Sequence, residues 1–260
     1  DPVIYEHGGQ AHQNWVRRLT VAEYIETVRA AVGVDSADEA REKLPKDLRA
    51  DGFSNTAYNL TVDLAHVDSY ASLAATIVGR MDVMAFAKRF TKQVRFTDQD
   101  MDRLISGMGK WLLRGPLEEH EMNTFRGIST SVAAAGGEPE HAVGLIIEAM
   151  LQAPRFIYRM ENQQGDGTLW PVGEYELASR LSYMIWGGPP DEALMKAAEA
   201  GELFNQAELK RQVKRMFTDP RARDRSLQFI SEWLNLGRMQ NLRPDPARFP
   251  NWNPALAADM

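Results

Sequence analysis

The chain has 260 residues, 44% of them hydrophobic and 25% charged, enough for one large domain or two small ones. A formal net charge of −6 argues against generic nucleic-acid binding, which needs a basic surface to displace counterions. No apolar run reaches the roughly 18 residues that suggest a membrane-spanning helix, and the lack of cysteine excludes disulfides, iron–sulfur clusters, thiolate zinc, a cysteine nucleophile and haem held through Cys-x-x-Cys-His.

The first residues are Asp1-Pro2, which fits either a processed N-terminus after signal-peptide removal or a trimmed chain. Residues 1–15 read as an irregular segment. Thr20 and Glu23 have capping-box spacing and predict a helix to about Val32, with Gly33 as its stop. Leu44 to Asn59 reads as a loop with small turns, followed by helices over about Asp63–Gly79 and Val83–Phe90. Thr97 opens a helix reaching Leu113, and Pro116-Leu117-Glu118-Glu119 opens the next, with acids where they complement the helix dipole. Glu138-Pro139 starts a helix with Val143, Ile146, Ile147 and Met150 on its apolar face, interrupted at Pro154. Gln163–Gly167 is a surface turn and the best internal boundary.

The next helix carries Leu177, Leu181, Met184 and Ile185 at helical spacing, and Gly187-Gly188-Pro189-Pro190 ends it. Asp191 is placed to open another helix, to about Ala200, with further helices over Gln206–Phe217 and Pro220–Leu236. Trp186 and Trp233 fall at helix positions expected to be buried. Asn253-Pro254 begins a helix that Met260 leaves without a stop signal, so the last helix reads as incomplete and the polypeptide is expected to continue. No strand alternation is sustained beyond four or five residues, and the chain reads as all-α: serial helical modules forming an irregular bundle. The modules are placed at 16–95, 96–162 and 163–260, the last truncated.

Residues able to carry chemistry are sparse. Glu6, His7 and His12 could ligate a metal, but a zinc site needs three or four converging ligands, so no metal site is expected. His120 lies between Glu119 and Glu121, as a surface helix would also place it. Scattered methionines such as Met101, Met108 and Met150 are expected to be core filling rather than haem ligands. Gly107-Met108-Gly109-Lys110 lacks the spacing of a phosphate loop, and the serines lack a nucleophile elbow. Lys210, Arg211, Lys214, Arg215, Arg221, Arg223 and Arg225 form the basic cluster, a candidate for docking an acidic partner or simply a solvated face. Trp170 and Trp252 sit in loops, where tryptophan suits partner or carbohydrate contact.

Several landmarks agree with a known family. Arg17-Arg18-Leu19-Thr20 with Glu23-Tyr24, Thr27, Arg29 and Gly33 resembles the start of a planctomycete-type domain of unknown function. Leu112, Arg114, Pro116-Leu117 and Glu119 are similar to a second domain of that set, and Pro154-Arg155-Phe156 with Tyr158-Arg159 leads into a third. The third match is the most specific: Tyr175–Tyr183, Trp186, Pro189-Pro190-Asp191, Asp219-Pro220-Arg221-Ala222 and Trp233-Leu234. The chain thus resembles a multidomain secreted protein family of cytochrome-c-associated domains of unknown function, the 1587, 1595 and 1592 series. Among the matched residues, Arg18, Thr20, Glu23, Tyr24, Arg29, Glu176, Arg180, Tyr183, Trp186, Pro190, Asp191 and Trp233 are expected to be structural.

The resemblance implies a bacterial protein of the periplasm or extracellular space. It supplies no catalytic or cofactor-binding residues. No cofactor is expected in this chain, although a partner module could hold haem. The expected function is a non-catalytic scaffold or interaction subunit of a larger, redox-linked assembly, with a protein partner or a C-terminal continuation and no nucleic acid. The alternatives are part of a secreted oxidoreductase whose cofactor lies elsewhere, and a carbohydrate-binding module.

Overall fold

Local helix signals carry through to the folded chain. The computed structural model describes residues 16–49, 52–56, 60–91, 97–161, 172–253 and 255. His7, His12, Trp15, Trp170, the 163–167 turn and most of the terminal helix lie outside the described residues. In chain order the elements are β1 (Val16–Arg18), α1 (Val21–Val32), α2 (Ala37–Lys43), α3 (Leu64–Arg80), α4 (Val83–Ala87), α5 (Asp98–Leu112) and α6 (Glu119–Ala134). They continue through α7 (Pro139–Gln152), α8 (Pro154–Ile157), β2 (Tyr158–Met160), α9 (Glu174–Ile185), α10 (Glu192–Glu199), α11 (Gln206–Phe217) and α12 (Pro220–Trp233), then a 3-10 helix over Leu236–Asn241. The fold is all-α, with a single two-stranded sheet among the described residues, and no described helix is long and apolar enough to cross a membrane.

The caps show why these segments are helical. Thr20 Oγ1 accepts the Glu23 N–H at 3.2 Å, and Glu23 Oε2 accepts the Thr20 N–H at 3.1 Å, so two donors at the start of α1 are satisfied reciprocally. Gly33 closes α1 in the left-handed region, at φ +75°, where only glycine is comfortable. Asp191 caps α10 through the Leu194 N–H at 2.9 Å, as its position after the Pro-Pro stop suggests. The short α2 is not among the helices the sequence predicts, because seven residues carry too little periodicity to stand out.

The described apolar side chains form two clusters. The larger gathers α1, α3, α5 and α8 around α7, whose Val143, Ile146, Ile147, Met150 and Leu151 are all buried. Residues assigned to the first and second modules therefore share one core. The smaller cluster packs Ala178, Leu181, Ile185 and Trp186 of α9 against Leu194, Met216 and Ala222 of α10, α11 and α12. Trp186 is buried as expected and donates its indole N–H to the Met216 carbonyl at 2.9 Å. Trp233 is not buried: it is 65% exposed at the end of α12, because the described residues place no element over that side of the helix.

Candidate functional site

The two clusters meet at a junction of buried charge. β1 and β2 pair antiparallel in a register that sets Arg17 directly opposite Arg159. Like charges so placed repel, and α1 supplies the compensation. Glu23, 1% exposed, takes both Arg17 Nη atoms, at 2.9 and 3.0 Å, and a second guanidinium, Arg225 of α12, at 3.3 Å. Burial alone would raise the Glu23 carboxyl; the charge and hydrogen bonds of Arg17, with help from Arg225 and the Thr20 N–H, hold it below the ordinary carboxylate range.

Tyr183 of α9 reaches across the same junction into the larger core. Its hydroxyl and that of Thr27 share a 2.8 Å hydrogen bond, and Arg114 and Arg159 lie 5.6 and 5.5 Å from its ring centroid. Burial pushes the phenol above its usual range, so it stays neutral. Arg114 is itself unusual. It sits at φ +62°, a strained conformation for a side-chain-bearing residue, and donates to the carbonyls of Arg155, Phe156 and Tyr158 rather than to a carboxylate. Gly187, beside the Arg225 stem, sits at φ +68°, a left-handed conformation that favours glycine.

Above this charged base, α9 and α12 enclose an open groove of about 860 Å³. Its walls are Leu177, Leu181, Met184 and Ile185 from α9 and Phe229 and Ile230 from α12, with Phe217 and Phe53 alongside. Tyr183, Ile185, Glu232 and Leu181 are its buried lining residues, and Arg225 and Arg159 line it partly buried. The apolar surface continues outside it: Phe53 stacks on Phe229 at 5.8 Å and Phe229 on Trp233 at 6.3 Å, with Leu227 and Leu234 also exposed. Such a continuous apolar patch marks an interaction surface far more often than scattered exposed residues do.

The predicted basic cluster is largely divided into local pairs. Arg211 binds Glu208, Arg215 binds Asp191, Arg221 binds Asp219, Arg223 binds Asp224 and Arg225 binds Glu23. Arg221 also lies 3.8 Å above the Trp186 ring, so it supports α9 rather than facing outward. Lys210 and Lys214 are exposed on α11. Among the residues expected to be structural, Arg18 is buried against Asp47 at 2.8 Å, and Tyr24 packs against Tyr70 and Phe156. Glu176 accepts the Gly173 N–H at the start of α9, and Arg180 grips Glu161 with two bonds. Pro190 is buried, whereas Arg29 is an exposed partner of Glu26.

Sequence reasoning missed Arg114 and Arg159 as members of the junction, because only the strand register and the αL turn bring them there. His66 caps α3 from a buried position, and His120 lies 3.4 Å from Glu118 rather than between its sequence neighbours. Gly107 and Gly109 serve packing, since a Cβ on either would press on Phe90 or Leu117. No group of three or more His, Asp or Glu side chains among the described residues could hold a metal ion.

Three family models match the chain in series. Residues 17–83 match PSD3, a protein of unknown function (DUF1587), and residues 100–161 match PSD5, a protein of unknown function (DUF1595). Residues 172–260 match PSD4, a protein of unknown function (DUF1592). No curated protein and no solved structure matches the chain.

Proposed function

We propose that this chain, which carries the DUF1587, DUF1595 and DUF1592 domains in that order, is a non-catalytic interaction subunit that docks a polypeptide in the groove between α9 and α12. One observation carries the reading: α12 turns Phe229, Ile230, Trp233 and Leu227 outward, so a helix amphipathic by sequence leaves its apolar residues uncovered by the described chain. Fully burying an exposed side chain of this kind contributes about 1.5–3 kcal/mol, and at 41–65% exposure these retain roughly half of that, so the face favours a cover. The buried ionisable groups beneath it bind one another, which suits rigid support more than proton transfer. A periplasmic or extracellular setting and a link to redox partners belong to the same proposal, and rest on the family resemblance.

The test is binding of anilinonaphthalene sulfonate, a dye that lights up in apolar clefts, by the native chain. The expected result is saturable fluorescence that Phe229→Asp abolishes without changing the circular dichroism. A native chain that leaves the dye dark has no open groove, and the proposal falls.

A further inference from the structure

We infer that the occupant of the α9–α12 groove is an amphipathic helix bearing a carboxylate within its apolar stripe, which settles against Arg159 and Arg225. The inference rests on the docking reading above and adds the chemistry of the partner. Its basis is a charge imbalance beneath the groove. Arg159, Arg180 and Arg225 line the groove with one carboxylate, Glu232, and the carboxylates behind them are Glu23, Glu161 and Glu176. Most of those carboxylates are already engaged. Glu23 serves Arg17 and Arg225, Glu161 is gripped by Arg180, Glu176 holds the start of α9, and Glu232 accepts from Ser54 and Gln228.

Among the arginines that line the groove, Arg159 is the least compensated. Among the described residues its nearest ion-pair contact is Glu161 at 3.7 Å, and its buried Nε has no hydrogen-bond partner. It also faces Arg17 across the strand pair. A positive surplus in a poorly solvated place attracts a carboxylate more strongly than the same charge would at the surface. An apolar partner alone would bury that surplus uncompensated, at a cost in affinity. The surrounding shape selects a helix. Two helices form the walls, and exposed aromatic residues extend the surface beyond the cleft, as in helix-in-groove recognition with aromatic anchors. A small amphiphile would fill the cleft and leave Trp233 and Leu234 uncovered.

The experiment is selection from a helix-biased library of soluble peptides against the full chain, with Phe229→Asp as the counter-target. The strongest groove-dependent peptide is then compared with its Glu→Gln or Asp→Asn form by fluorescence anisotropy at low and high salt. The expected outcome is enrichment of one acidic position within an apolar stripe, with affinity falling about tenfold or more on neutralisation. Groove-dependent peptides with no acidic preference, or with unchanged affinity after neutralisation, overturn the charge assignment and leave the docking reading standing. Peptides that bind Phe229→Asp equally well overturn the docking reading itself. Concentration-dependent dimerisation that the same substitution abolishes would make a second copy of this chain the occupant, and would overturn the acidic-helix assignment. The comparison changes the peptide rather than Arg159, so a folding defect in the protein cannot mimic the result.

Discussion

α7 and α12 are similar in length but differ in what they do with their apolar residues. α7 buries Val143, Ile146, Ile147, Met150 and Leu151 at the centre of the larger core. α12 buries only Ala222 and Glu232 among its described side chains and leaves Phe229, Ile230 and Trp233 open. The contrast shows that one stripe of apolar residues can serve two purposes. On α7 it holds the fold together. On α12 it builds a surface, and the helix is held from beneath by Arg225 on Glu23 and by Glu232 on Ser54.

The comparison breaks most sharply at Glu23. Replacing it with Gln leaves Arg17 and Arg225 without their shared carboxylate, and should cost roughly 3–5 kcal/mol in denaturant unfolding. The α9–α12 unit should loosen first, with the larger core melting later. Acid should act on the same group. Because the folded carboxyl titrates below its ordinary range, its contribution is complete above the unfolded value and is lost as pH falls through the folded one. Unfolding measured from neutral pH downward should therefore show a loss of stability that the Gln variant lacks.

Ile146→Ala, at the centre of α7, should cost about 2–5 kcal/mol by cavity formation. Tyr183→Phe keeps the ring between Arg114 and Arg159 but removes the bond to Thr27, and should cost about 1 kcal/mol in thermal or denaturant melts. Trp233→Ala should change stability by less than about 0.5 kcal/mol while reducing dye and peptide binding. The ratio of those effects separates residues that hold the fold from residues that present the surface.

Local signals made most helices legible. Thr20, Glu23 and Gly33 bracket α1 within a few residues of sequence, and Asp191 follows a stop that no helix could cross. The resemblance to the 1587, 1595 and 1592 domain series drew on the same segments, and that series is met by the three domain matches. The junction was less legible. Pairing Arg17 with Arg159 depends on strands of three residues each, too short to show alternation and far apart in the chain. Glu23 was readable as a cap, but its second role as the counterion of α12 was not. Trp233 shows the limit from the other side. Helical spacing identifies a face that prefers cover, but says nothing about whether the same chain supplies it.

The most direct measurement is amide hydrogen exchange on the full chain, comparing α12 with α7, alone and with the peptide selected against the groove. The account predicts that α12 exchanges faster than α7 in the free chain and that the peptide slows exchange in α9 and α12 alone. Equal protection of both helices in the free chain, or peptide protection that maps elsewhere, would contradict it.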